Sequence, residues 1–183
     1  MEIGKTRLKE IEIKASEVLD RIDTDLTEPI DVIQIANELG FVVGNAELGS
    51  DMDGFIIIDE GKDDILGIKT DKLIGVRASQ TLEWKRFVIA HEIGHYILHY
   101  NREADNGMYA HRDHMKGKNE TENEADYFAA NLLMPKEMFV KKYEELKEKN
   151  LSADEMTVLL ANKFGVTENM TKRRFGELSI SAE

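Results

Sequence analysis

The apolar positions Ile11, Ala15, Val18, Leu19 and Ile22 recur at intervals of three and four residues, the spacing of one helical face, and predict a first helix over residues 11–25 that packs as a cover. A second helical pattern, Ile30, Val32, Ile33, Ile35, Ala36 and Leu39, opens at Pro29, and Gly40 stands where a C-terminal cap belongs. From residue 41 to 79 the texture changes to short β-rich runs at 41–43, 54–58, 65–68 and 73–76, parted by Gly and Asp. These runs predict three or four strands, mostly antiparallel. Ser79 is the expected N-cap of a long helix through Tyr100, whose apolar face runs Leu82, Phe87, Ile89, Ala90, Ile93 and Leu98. Residues 101–120 are polar and lack a period, and a structureless loop of that length inside a compact domain is more often a functional lid than an accident. A further helix turns Ala125, Phe128, Ala129, Leu132 and Leu133 inward and gives way at Met134-Pro135, and the remainder reads as helical. The expected fold class is α+β: a small, mostly antiparallel sheet packed on the long helix, followed by a helical C-terminal segment.

A chain of 183 residues can bury a proper core as one ordinary domain. The absence of Cys excludes disulfides, thiolate metal sites and cysteine nucleophiles, so the five His and the carboxylates are the strong metal ligands that remain. The net charge of -12 repels nucleic acid and anionic membranes and suits a basic protein partner better. The densest apolar runs fall far short of the roughly 20 residues that a membrane span needs. Residues 1–6 open a charged stretch without the apolar region of a secretory signal, so the expected compartment is the cytoplasm.

The chemistry concentrates in His91-Glu92-Ile93-Gly94-His95. Imidazoles four residues apart on a helix sit about 40° around and 6 Å along its axis, so His91 and His95 can converge on one divalent ion. Glu92 cannot easily join the same tetrahedron, but it can reach a water at the ion's open position and act as general base. Chance supplies an H-E-x-x-H match roughly 0.02 times in such a composition, so the context has to add weight. It does: the flanks Phe87-Val88-Ile89-Ala90 and Tyr96-Ile97-Leu98 are too apolar to be solvated, and buried polar groups need partners. Gly94 costs about 1 kcal/mol against Ala inside a helix, a penalty that fits a place where another backbone or a ligand approaches. The plainer alternative is a satisfied polar helix face with no metal.

A hydrolytic site needs a third protein ligand and an open position. Glu120, Glu122, Glu124 and Asp126 are the candidates; Glu122 and Asp126 share a row with Ala125, Ala129 and Leu133, whereas Glu124 points about 200° away from Glu122. Glu122 is the expected third ligand and Asp126 the acceptor for the outer imidazole N–H of His91 or His95. The alternative for Glu122 is a helical first turn merely enriched in acids. His99, two turns beyond His91, is too far to ligate the same ion and reads as a packing histidine or one behind a ligand. In the loop, Tyr109, His111 and His114 are candidates for donating a hydrogen bond to a tetrahedral oxyanion or for touching substrate, against plain exposed polarity.

Two segments, RFVIAHEIGHYILH at 86–99 and ENEADYFAANLLMP at 122–135, together resemble the ImmA/IrrE family of metallopeptidases, and the similarity extends over about residues 25–180. The resemblance implies a zincin-like domain with a thermolysin-like zinc site, in which His91, His95 and Glu122 are the ligands and Glu92 is the base. Other divalent ions, manganese among them, suit the same N/O donors. It also implies a protein substrate, a helix-turn-helix repressor of a mobile element or stress response. The expected division is a metallopeptidase domain over 1–135 and a helical segment over 136–183. An extended substrate needs a strand to pair with; Asp53-Gly54-Phe55-Ile56-Ile57-Ile58 is a candidate sheet edge, although a core strand explains it more simply.

A different class of function competes. Residues 156–175 resemble a helix-turn-helix with Gly165 at the turn and Lys172-Arg173-Arg174 as a basic triplet, the mark of a metal-stabilised transcription regulator or interaction module. The local surplus of positive charge is small against -12, so internal packing outweighs protein recognition, and direct nucleic-acid binding is not expected.

Overall fold

The computed structural model describes residues 3–21, 29–114, 119–149 and 151–180. Four strands form one sheet: β1 (Val42–Ala46), β2 (Met52–Asp59), β3 (Lys72–Arg77) and β4 (Met108–His114), in the order β1-β3-β2-β4. β1 runs parallel to β3, and the other two pairings are antiparallel. Ile56, Ile58, Ile74 and Val76 are buried on one face, as alternation along half-buried strands requires.

Two expectations about the sheet are corrected, and the simpler reading of residues 53–58 as a core strand holds. The run 65–68 is a tight turn, not a strand: a single bridge joins Ile65 to Ile68 around Leu66 (φ 54°) and Gly67 (φ 81°), and the Asp64 carboxylate accepts from Gly67 N at 2.9 Å. The expected lid over 101–120 contains β4, which pairs with β2 from Met108 opposite Asp59 to His114 opposite Met52. Consequently β2 lies between β3 and β4, and residues 53–58 offer no edge; the edge on that side is β4.

The first helix, α1 (Lys5–Arg21), starts six residues before the expected point and buries Ile11, Ala15, Val18 and Leu19 as expected, while Ile22 lies outside the described residues. It covers α4 (Glu120–Leu133). The short α2 (Val32–Glu38) is capped by Asp31, and Gly40 ends it at φ 88°. The long helix α3 (Leu82–His99) begins at Thr81, whose hydroxyl accepts from Trp84 N, rather than at Ser79. Residues 88–95 are buried without interruption, so the middle of α3 is enclosed on all sides rather than along one stripe, while Leu82 at its start is exposed. In α4 the Asn119 carboxamide accepts from Glu122 N at 2.9 Å, which fixes Glu122 in the first turn.

At Gly94 the backbones of α3 and α4 come close together. A Cβ there would lie 3.2 Å from the Cα and O of Ala125 and from a Phe128 ring carbon. Gly94→Ala should therefore destabilise the fold by about 1 kcal/mol, overpacking of about 1–3 kcal/mol being only partly offset by better helix propensity. Thermal unfolding reads this as a fall of roughly 2–4 °C.

Among the described residues three helices follow: α5 (Lys136–Lys147), α6 (Ala153–Phe164) and α7 (Glu168–Leu178). Gly165 joins the last two in the left-handed region at φ 61°, the turn expected there. Arg86 of α3 donates to Gly165 O at 2.9 Å and to Ile30 O at 2.8 Å, tying that turn and the start of α2 to the long helix. Phe139, Phe164 and Phe175 join the same buried cluster as Ile93 and Phe128. Among the described residues no helix is long and apolar enough to cross a membrane.

Candidate metal centre

One helix and the first turn of another bring the donors together. His91 Nε2 and His95 Nε2 are 3.0 Å apart. The Glu122 carboxylate closes the triangle, with Oε2 3.3 Å from His91 Nε2 and Oε1 3.5 Å from His95 Nε2. One ligand atom from each of the three residues lies within 4.8 Å of the others. Asp126 Oδ1 is 3.1 Å from His91 Nδ1, on the far side of the ring from the cluster, and Arg173 of α7 holds the other oxygen of that carboxylate at 3.1 Å.

Glu92 is fully buried beside the cluster. Gly54 of β2 lets that strand pack closely on α3: a side chain there would run into Val88 Cγ1 and the Gly75 carbonyl, whereas Glu92 Oε1 would be in ordinary contact at 3.5 Å. From β4, His111 stacks on the His95 ring at 3.8 Å, with its Nε2 2.9 Å from Glu122 Oε1 and its Nδ1 3.9 Å from Glu92 Oε2. Tyr109 shares the inward face of β4 and meets Tyr100 edge-on at 5.9 Å. His114 ends the strand, and its side chain lies outside the described residues.

Burial holds His95 neutral, its pKa drawn down to about 4 despite the Glu122 carboxylate. Burial also opposes charge on Glu122, but the facing imidazoles of His111, His91 and His95 outweigh it and hold that carboxyl well below the usual range. Asp126 is lowered in the same way: desolvation opposes its charge, and His91 and Arg173 overcome it. For His111 burial disfavours the cation, yet Glu122 and Glu92 raise its pKa to about 9.

The donor set suits a divalent ion with N/O preference. Only one proton fits between two imidazole nitrogens 3.0 Å apart, and a carboxylate facing both adds acceptors, not donors. Two imidazoles and one carboxylate leave a tetrahedral ion with an open position.

Arg7, and its pairing with Glu124, escaped the sequence reading. Glu124 does point away from Glu122, but it turns towards α1 and is buried there against Arg7 and His99. Nothing in its helical row marks it, because its partners come from distant parts of the chain. Two residues of the basic triplet pack internally, the reading that weighed most in the sequence. Arg174 is wholly buried, donating to Asn131 Oδ1 and Met134 O, and Arg173 is committed to Asp126 and Glu177.

A model of the Peptidase_M78 family, described as the IrrE N-terminal-like domain, matches residues 56–175. That stretch runs from within β2 into α7 and contains His91, Glu92, His95, His111, Glu122 and Asp126. No curated protein matches the chain.

Proposed function

The chain belongs to the IrrE N-terminal-like family of metallopeptidases, and from that premise we propose that it is a zinc-dependent endopeptidase of cytoplasmic protein substrates, a helix-turn-helix repressor foremost. The observation that carries this reading is the convergence of His91, His95 and Glu122 beside the buried Glu92. A zinc or manganese ion on those three donors would acidify a water and polarise the scissile carbonyl. Glu92 would take the proton from the attacking water and deliver it to the leaving amide nitrogen, as its place next to the ligand His91 suits. Asp126, clamped by Arg173, would hold His91 Nδ1–H and so leave Nε2 as the coordinating atom. His111, whose ring nitrogens face Glu122 and Glu92, would donate to the tetrahedral oxyanion, and Tyr109 would line the same wall.

Substrate would lie extended along β4, the sheet edge on the side of the site, where backbone pairing positions a peptide without reading its sequence. Residues 136–183 would act as a helical segment docked on a metallopeptidase domain over 1–135, since Arg173 reaches back to Asp126. A regulator that used Arg173 and Arg174 on DNA would first have to release them from these internal partners. The test is incubation of the purified chain, with zinc and with chelator, against the repressor encoded beside its gene. Cleavage in zinc alone is the expected result; an intact repressor in both removes that substrate, and a chain that takes up no divalent ion removes the mechanism.

A further inference from the structure

The cluster is tied to α1 as well as to the two helices that carry its donors. Glu124 is 6% exposed and accepts two hydrogen bonds from Arg7, Nε to Oε1 at 2.8 Å and Nη2 to Oε2 at 2.7 Å. The same Oε2 lies 3.0 Å from His99 Nε2, and His99 Nδ1 lies 3.0 Å from His95 Nδ1. For a neutral His99, hydrogen-bond polarity along this line has one consistent solution. A carboxylate held by a guanidinium only accepts, so His99 Nε2 carries a proton and donates it. Nδ1 of neutral His99 then accepts, His95 Nδ1 donates, and the His95 lone pair stands on Nε2, the atom that faces His91 and Glu122.

We propose that Arg7, Glu124 and His99 form a positioning relay that fixes the tautomer and ring orientation of His95 and thereby strengthens divalent-ion binding, a role that rests on the metal reading above. His91 and His95 are then supported in parallel, one by Asp126 with Arg173 behind it and the other by His99 and Glu124 with Arg7 behind them. The second line leaves the stretch that matches the family: Arg7 stands on α1, ahead of residue 56. On this account the N-terminal helix is part of the metal site's support and not only a cover. The competing account is that Arg7 and Glu124 merely pin α1 to α4, which would touch folding and leave ion affinity alone.

Zinc affinity, read by competition with a chromophoric chelator, and the visible spectrum of the cobalt-loaded chain separate the two accounts. Glu124→Gln and His99→Leu are expected to weaken zinc binding by about 10- to 100-fold and to shift the cobalt bands. Combining Arg7→Leu with Glu124→Gln should add little to Glu124→Gln alone, because both act through one line of contacts. Arg7→Lys, which keeps a charged donor, should recover part of the affinity lost in Arg7→Leu and serves as well if the latter fails to fold. Zinc affinity within about twofold of wild type in Glu124→Gln and His99→Leu, with only the melting temperature lowered, overturns the relay and leaves the metal reading intact. A wild-type chain that takes up no zinc overturns both.

Discussion

Glu92→Gln is expected to lower peptide hydrolysis by about 10²- to 10⁴-fold, the usual contribution of a positioned general base, while zinc uptake stays at wild-type level. The two properties separate because the three converging donors are His91, His95 and Glu122, and Glu92 is not among them. Gln has nearly the same shape and size as Glu, so the fold has little reason to respond. What changes is chemical: an amide oxygen is too weak a base to take the proton of an attacking water, and an amide N–H is too weak an acid to hand one to a leaving nitrogen. Initial rates on the repressor substrate, with zinc content measured on the same samples, check both halves. A variant that binds zinc and still cleaves at the wild-type rate would remove Glu92 from the proton-transfer role.

The helices that carry the site were legible in sequence for a local reason. Two His four residues apart and a Glu–Asp pair four residues apart each define a helical row on their own, whatever the rest of the chain does. Gly94 was readable in the same way, and its close approach to Ala125 accounts for a glycine in mid-helix. β4 was hidden because alternation is normally recognised by apolar residues on the buried face, and here that face carries Tyr109 and His111, turned towards a polar cluster. Its outward face, with Met108 63% exposed, gave no sign of burial either. The partnership of Glu124 with Arg7 spans 117 residues of chain and depends on how α1 crosses α4, which no local spacing encodes. The shift from Ser79 to Thr81 is smaller in kind: both residues can cap, and only the turn through residues 77–80, with Gln80 N on Arg77 O, decides between them.

Arg174→Met is expected to destabilise the chain by about 3 kcal/mol, the lower end of what removing one partner from a buried ionic network costs. Arg174 is 0% exposed and supplies three hydrogen bonds: to Asn131 Oδ1 at 2.8 Å, to Met134 O at 3.1 Å and to Glu177 Oε2 at 3.1 Å. Met fills much of the volume but donates nothing, so the Asn131 carboxamide and the carbonyl of Met134, the residue that ends α4, would lose a buried donor. For a domain of this size the loss corresponds to a fall in melting temperature of roughly 6–12 °C. Lys172→Met is the control: Lys172 is exposed, and its replacement should stay within about 0.5 kcal/mol of wild type. The pair also weighs the two readings of the basic triplet. If 172–174 served phosphate contacts, the exposed Lys172 would matter to nucleic-acid affinity and Arg174 would be nearly silent in stability. An internal strut gives the opposite ranking, and thermal unfolding of the two variants distinguishes them without any ligand.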